Sequence, residues 1–182
     1  ESRTQVNYSR LSTENITEDG IGPFLNFNHP DFEAQIEKYK NCTWVEQLNQ
    51  SMKKNSDKHC FGYRRNTAVN EFEKKHTYFS YKEVSTMADN FAKNLRDTGL
   101  TQKQRYSDEG EFTFLGLFAR NCSEWFVADL ACQRDSTTTV TFYSTLGDVS
   151  FDHIFSQTQC STLCVTNDTI DNLLSYYKKF QF

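Results

Sequence analysis

The chain has 182 residues, 37% of them among Ala, Val, Ile, Leu, Met, Phe, Trp, Tyr and Cys, and a net charge of −4. A mean hydropathy of −0.72 would suit a disordered chain, but 16 Phe and 9 Tyr exclude that reading, because disordered segments are poor in aromatics. The acidic balance, with cations spread as short pairs such as Lys53-Lys54, Arg64-Arg65 and Lys74-Lys75, argues against nucleic acid as the main partner.

In chain order, residues 1–30 are polar and aperiodic, with Asp19-Gly20 and Gly22-Pro23 as turn signals, and are expected to form an extended arm. The polar start through Arg10 does not read as a signal peptide, and no run of eighteen apolar residues predicts a membrane span. The first helix is expected to open at Thr43, whose T-x-x-E spacing to Glu46 makes a capping box. It would place Trp44, Val45, Leu48 and Met52 on one side and end near Asn55. Residues 60–63 and 77–80 read as strands joined by a polar hairpin-like stretch.

Ser80 and Glu83 repeat the cap, and Val84, Met87, Ala88, Phe91 and Leu95 recur at helical spacing until Gly99 closes the helix. A charged loop is expected over 101–111. Residues 112–119 are apolar on both faces, as a central parallel strand requires. Asn121 and Glu124 are expected to cap the next helix, with Trp125, Phe126, Leu130 and Ala131 turned inward. The β-branched run 138–143 reads as a strand. Asp148 opens a helix carrying Phe151, Ile154 and Phe155, 163–165 is a further strand, and Asn167 or Asp168 caps a last helix with Ile170, Leu173, Leu174 and Tyr177.

This βαβ rhythm gives the fold class: α/β, a partial doubly wound, mainly parallel sheet with flanking helices over residues 31–182, preceded by the arm over 1–30. Ligands of such sheets sit beyond the carboxyl ends of the strands, which here are Arg120-Asn121 and Tyr143-Ser144-Thr145.

Chemistry is sparse. No Walker A sequence, G-x-G-x-x-G or G-x-S-x-G elbow occurs. The four histidines show no metal-ligand spacing, and Asp152-His153 is read as a solvated helix face, because adjacent helical residues do not face each other. The six cysteines lack C-x-x-C spacing and are expected to be reduced and structural. The N-x-[ST] triplets at Asn7, Asn15, Asn41, Asn49, Asn121 and Asn167 are read as chance matches in an Asn-, Ser- and Thr-rich chain.

Four ordered stretches carry a resemblance. Cys60-Phe61-Gly62-Tyr63-Arg64, Phe79-Ser80-Tyr81-Lys82-Glu83-Val84, the run from Leu115 to Trp125 and Phe142-Tyr143-Ser144-Thr145-Leu146-Gly147 are similar, in order and spacing over about residues 40–178, to motifs of the long-chain acyl-CoA synthetases, within the adenylate-forming (AMP-binding) enzymes. The resemblance implies the N-terminal portion of a long-chain fatty acid–CoA ligase. Such an enzyme uses ATP and Mg²⁺ to join a fatty acid to AMP, then transfers the acyl group to coenzyme A. The family's Ser/Thr/Gly-rich phosphate loop ending in P-K-G, its ribose-binding acidic motif and its catalytic lysine have no counterpart here, and in the family they lie downstream of the position matched by Phe182.

The resemblance therefore covers about the first third of a family member and carries over no catalytic residue and no metal ligand. Neither ATP, Mg²⁺ nor coenzyme A is expected to be held by this segment alone. Tyr143, Ser144 and Thr145 are candidate pocket residues; the competing reading makes them a turn that positions the next helix. The chain departs from the family's P-L-Y-D-T-L-G at Thr141-Phe142 and at Ser144. These departures and the missing ATP motifs leave a second reading open, a non-catalytic paralogue or truncated chain acting as a docking subunit, and a weaker third, a small acyl- or nucleotide-binding module. The expected partner is the remainder of its own chain or another protein covering an exposed sheet edge, with fatty acid, ATP and CoA as ligands of a full-length member and no nucleic acid. The expected location is intracellular, cytoplasmic or peripheral on an organelle membrane.

Overall fold

The computed structural model describes residues 9–11, 24–26, 32–68, 71–106, 110–143 and 145–180. The chain divides into two compact units, 1–47 and 48–182. In the first, β1 (Ser9–Leu11) pairs antiparallel with β2 (Phe24–Asn26), so the stretch expected as an arm contains a two-stranded pairing. Helix α1 (Phe32–Tyr39) was not foreseen. At eight residues it is shorter than the window in which helical periodicity becomes legible, and its Ile36 and Tyr39 are exposed. Helix α2 (Trp44–Lys54) runs across the boundary. Its cap is as expected: the Glu46 carboxylate accepts from the Thr43 amide at 2.8 Å and the Thr43 hydroxyl at 2.9 Å, and the Glu46 amide donates back to Thr43 Oγ1.

The second unit opens with an antiparallel ribbon of β3 (His59–Tyr63) and β6 (Thr77–Ser80), with the small hairpin β4 (Asn66–Ala68) and β5 (Glu71–Phe72) inserted between them. Ser80 and Glu83 then cap α3 (Tyr81–Asp97) with a complete capping box, and Gly99 takes φ +64° just past its end, the left-handed conformation glycine tolerates. The region expected as a charged loop is instead a hairpin: β7 (Lys103–Tyr106) pairs antiparallel with the first half of β8 (Gly110–Phe118). The Lys-Gln-Arg-Tyr run has no apolar alternation because backbone pairing, and not burial, makes it a strand. Lys103 adds an ion pair to Glu111 across the hairpin.

Helix α4 (Ser123–Arg134) follows, then β9 (Thr138–Thr141), α5 (Asp148–Thr158), β10 (Leu163–Val165) and α6 (Ile170–Phe180). Two expected caps are corrected. The residue entering α4 is Cys122, not Asn121. The helix starts one residue late for an N-x-x-E box, and the Glu124 carboxylate instead accepts from the Ser123 hydroxyl at 2.8 Å. At α6 the entry is Thr169, not Asn167 or Asp168: its carbonyl accepts from Leu173 and its hydroxyl takes the Thr166 amide.

Strands β9 and β10 both run parallel to β8, and Gly116 and Leu117 each have partners in both, so β8 lies between them. Alternate β8 residues point to opposite faces. Leu115 and Leu117 pack with Leu95, Ala128 and Cys132 of α3 and α4. Phe118 turns the other way, into a cluster with Phe142, Phe151 of α5 and Tyr176 of α6. Helices therefore cover both faces, the doubly wound arrangement expected from the sequence. The second cluster is aromatic, with Phe151 lying 5.3 Å from Phe118, 5.4 Å from Phe142 and 5.0 Å from Tyr176, ring centre to ring centre. A core built from rings accounts for a chain lean in aliphatic residues yet rich in Phe. Gly116 makes room for it, because a Cβ there would stand 2.7 Å from Leu163 Cγ and 3.1 Å from Phe142 Cε2.

Candidate functional site

The carboxyl ends of β8, β9 and β10 share one edge of the sheet. The connection through α4 carries the chain from β8 to β9 on one side, and the connection through α5 carries it back past β8 to β10 on the other. The winding thus reverses between β8 and β10, and in sheets of this kind a crevice opens at that point. The reversal is invisible in the sequence, which orders strands along the chain and not across the sheet.

Two loops meet at the reversal. Arg120, just past β8, places its Nε 2.6 Å from Asp168 Oδ2, in the loop after β10. The Asp168 carboxyl is held below the usual carboxylate range, first by a hydrogen bond from the Thr166 side chain and to a smaller extent by the Arg120 charge. Beneath this exposed bridge, Thr169 is fully buried. Its hydroxyl donates to the Phe118 carbonyl at 2.6 Å and accepts from the Thr166 amide at 3.0 Å. One buried hydroxyl therefore fastens the loop after β10 to the end of β8. Asp168 and Thr169 were not among the candidate residues, although Arg120 was named as a strand end.

The three candidates lie after β9. Phe142 is buried, and its amide donates to the Leu117 carbonyl at 2.9 Å. Tyr143 is 68% exposed, Ser144 lies outside the described residues, and Thr145 is exposed. The Leu146 amide donates to the Tyr143 carbonyl at 3.0 Å and closes a turn. Leu146 then packs on the aromatic cluster, and Gly147 enters α5. No hydrogen bond joins Tyr143 or Thr145 to Arg120 or Asp168 among the described residues.

The entry residues of α4 and α5, Cys122 and Gly147, make no side-chain cap bonds, and at α4 the Glu124 carboxylate accepts from its own amide and from the Ser123 hydroxyl instead. Of Asp152 and His153, read as a solvated face, His153 is exposed, while Asp152 is half-buried and accepts a hydrogen bond from the Tyr176 hydroxyl. No group of three or more His, Cys, Asp or Glu side chains is placed to hold a metal among the described residues. The sequence contains no P-K-G either.

Comparison with known proteins supplies the family. A model described as AMP-binding enzyme matches residues 48–179. Long-chain-fatty-acid–CoA ligase 6 of Mus musculus is 32% identical over 106 residues, 58% of this chain and 13% of that protein. Long chain acyl-CoA synthetase 8 of Arabidopsis thaliana is 31% identical over 107 residues, 57% of this chain and 14% of its own length. The chain thus spans a smaller share of these relatives than the third expected. Among solved structures, the adenylation domain of a carboxylate reductase from Mycobacterium chelonae superposes with a TM-score of 0.59 at 14% identity, covering 75% of this chain and 21% of that one. The fatty acid AMP ligase of Legionella pneumophila gives 0.52 at 14% identity over 75% and 22%. These structures share the fold, and the family model takes in nearly all of the second unit, including both parallel crossovers: the chain belongs to the AMP-binding enzymes, the adenylate-forming family.

Proposed function

We propose that this chain is the N-terminal lobe of a long-chain fatty acid–CoA ligase. The whole enzyme joins a fatty acid carboxylate to AMP with release of pyrophosphate, then passes the acyl group to the coenzyme A thiol with release of AMP. The observation that carries this reading is the identity of about 30% to ligases and synthetases named for long-chain fatty acids. The lobe supplies scaffold and one wall of the cleft, with Tyr143, Ser144 and Thr145 at its rim, and leaves phosphate handling and the catalytic lysine to other parts of the enzyme. β9 and β10 each pair only with β8 among the described residues, which supports a sheet continued by the remainder of the chain or by a partner. No helix of the described residues is long and apolar enough to cross a membrane. The need for ATP and coenzyme A places the proposed enzyme inside the cell.

The test is acyl-CoA formation dependent on ATP, CoA and a long-chain fatty acid. The natural full-length protein is expected to be active and residues 1–182 alone inactive. Activity from the 182 residues alone would overturn the division of labour. A natural chain without any phosphate loop, inactive with all substrates supplied, would favour the docking-subunit reading.

A further inference from the structure

Cations that look scattered along the sequence are gathered by the fold. Residues 53–82 contain eight Lys or Arg against three Asp or Glu, a net +5 in a chain of −4, so the rest of the molecule carries −9. All eight side chains, of Lys53, Lys54, Lys58, Arg64, Arg65, Lys74, Lys75 and Lys82, are exposed, and none is in an ion pair among the described residues.

Their grouping follows from the β3–β6 ribbon. Tyr63 is registered with Thr77 and the Glu73 amide donates to the Arg65 carbonyl at 2.9 Å, which brings the Arg64-Arg65 pair to the Lys74-Lys75 pair at one end. At the other end His59 is registered with Ser80, and the amides of Tyr81 and Lys82 donate to the carbonyls of Lys58 and Ser56, which brings Lys82 to Lys58 and the end of α2. Four cations therefore stand at each end of a strand pair about 16 Å long, at roughly 3.3 Å per residue.

Between the two groups lies a stacked pair of rings, Tyr78 and His59. Phe61 and Phe79 turn inward to the core, so Tyr78 turns outward. Its ring lies across Gly62, where a Cβ would meet it at 2.7 Å, and stacks on His59 with centres 4.3 Å apart and planes 9° apart. Tyr78 is about half exposed; Phe72, equally exposed, is registered with Asn66 in the inserted hairpin beyond the first group, with Arg64 over its ring at 5.3 Å.

We propose that the outer face of this ribbon docks on a bilayer containing anionic lipids. An exposed tyrosine between two groups of cations, with an exposed phenylalanine beside one of them, matches an interface that offers apolar depth beneath a negative headgroup layer. A long polyanion such as RNA would run past the ends of so short a ribbon and meet the net −9 of the remaining chain. A membrane plane needs only the outer face of the ribbon, and charges beyond about 8 Å from it are screened at physiological salt. The proposal stands on charge and geometry and does not require the ligase reading.

The experiment is sedimentation of the full-length protein with vesicles of phosphatidylcholine alone or with phosphatidylserine added. Binding is expected only with phosphatidylserine and is expected to weaken as salt rises. Replacing Arg64, Arg65, Lys74 and Lys75 by Gln in one variant, and Lys53, Lys54, Lys58 and Lys82 by Gln in another, should each weaken binding by about fivefold per cation removed, the factor corresponding to about 1 kcal/mol per basic residue. Changing Lys93 and Lys178 to Gln, away from the ribbon, should leave binding as it was. Having two separate ribbon variants keeps the test intact if one of them misfolds. Equal binding to both vesicles, ribbon variants that bind like the parent, or capture of an oligonucleotide or an acidic protein in place of vesicles would overturn the proposal. Acyl-CoA formation is measured separately, so loss of the ligase reading leaves this result standing, and the reverse.

Discussion

Single polar side chains fix the geometry of the cleft edge and of the helix layer behind it. Thr169 is the clearest case, because its hydroxyl serves the Phe118 carbonyl and the Thr166 amide with no solvent to substitute for it. Thr169→Val keeps the volume and removes the hydroxyl, so both partners lose a buried bond. The expected cost is about 1–3 kcal/mol, read as a lower denaturation midpoint with an unchanged slope against urea. A midpoint within experimental error of the parent would show that the β8 and β10 loops are held by something else. Arg134 plays the comparable part between helices. Its guanidinium reaches Asn49 Oδ1 at 2.9 Å, the Ser85 carbonyl and hydroxyl at 3.0 Å, and Asp89 Oδ1 at 2.7 Å. Lysine, with one compact charge and no fork, could not make these contacts together.

Helix α3 shows how far local sequence chemistry reaches. The Ser80 amide and hydroxyl both donate to the Glu83 carboxylate, at 2.7 and 2.8 Å, and these bonds hold that carboxyl below its ordinary range. Because the folded pKa is the lower one, the stabilisation is fully present above the unfolded value of about 4.3 and is lost as pH falls through that value toward the folded one. Helix stability is therefore expected to drop as pH falls below about 4.3, followed by circular dichroism in urea, and Glu83→Gln should flatten that drop. Ser80→Ala should cost about 1 kcal/mol at neutral pH; a variant as stable as the parent would mean the box is not formed in solution. Caps of this kind were legible because the whole signal sits within four residues. Those at Cys122 and Thr169 were not, since the same letters admit a frame shifted by one, and packing against β8 decides between them. β7 escaped notice for a related reason: an outer strand made by pairing leaves no hydrophobic period to read.

At the scale of the molecule, the succession of strands and helices could be read from the chain, but not the side of β8 on which β10 would land. That choice puts the reversal beside Arg120 and Asp168 and leaves Tyr143 and Thr145 on a separate turn. It also determines what each helix layer conceals. Cys132 of α4 is wholly buried against Leu115 and Leu117, and its thiol is pushed up to about 12, first by burial and then by Asp129, whereas Cys122 at the start of the same helix is exposed. An unfolded thiol ionises near 8.5. Above that pH the unfolded state loses a proton that the folded state keeps, and stability is expected to fall as pH rises from about 8.5 toward 12. Melting temperatures taken from pH 7 to pH 11 should show that decline, and Cys132→Ala should make it shallower. Iodoacetamide at pH 8 should modify Cys122 in the native protein at once and Cys132 only as fast as the chain unfolds, with mass spectrometry of the peptides separating the two. Equal rates at both thiols would mean that α4 does not lie closed on the sheet, and the doubly wound order of β9, β8 and β10 would fall with it.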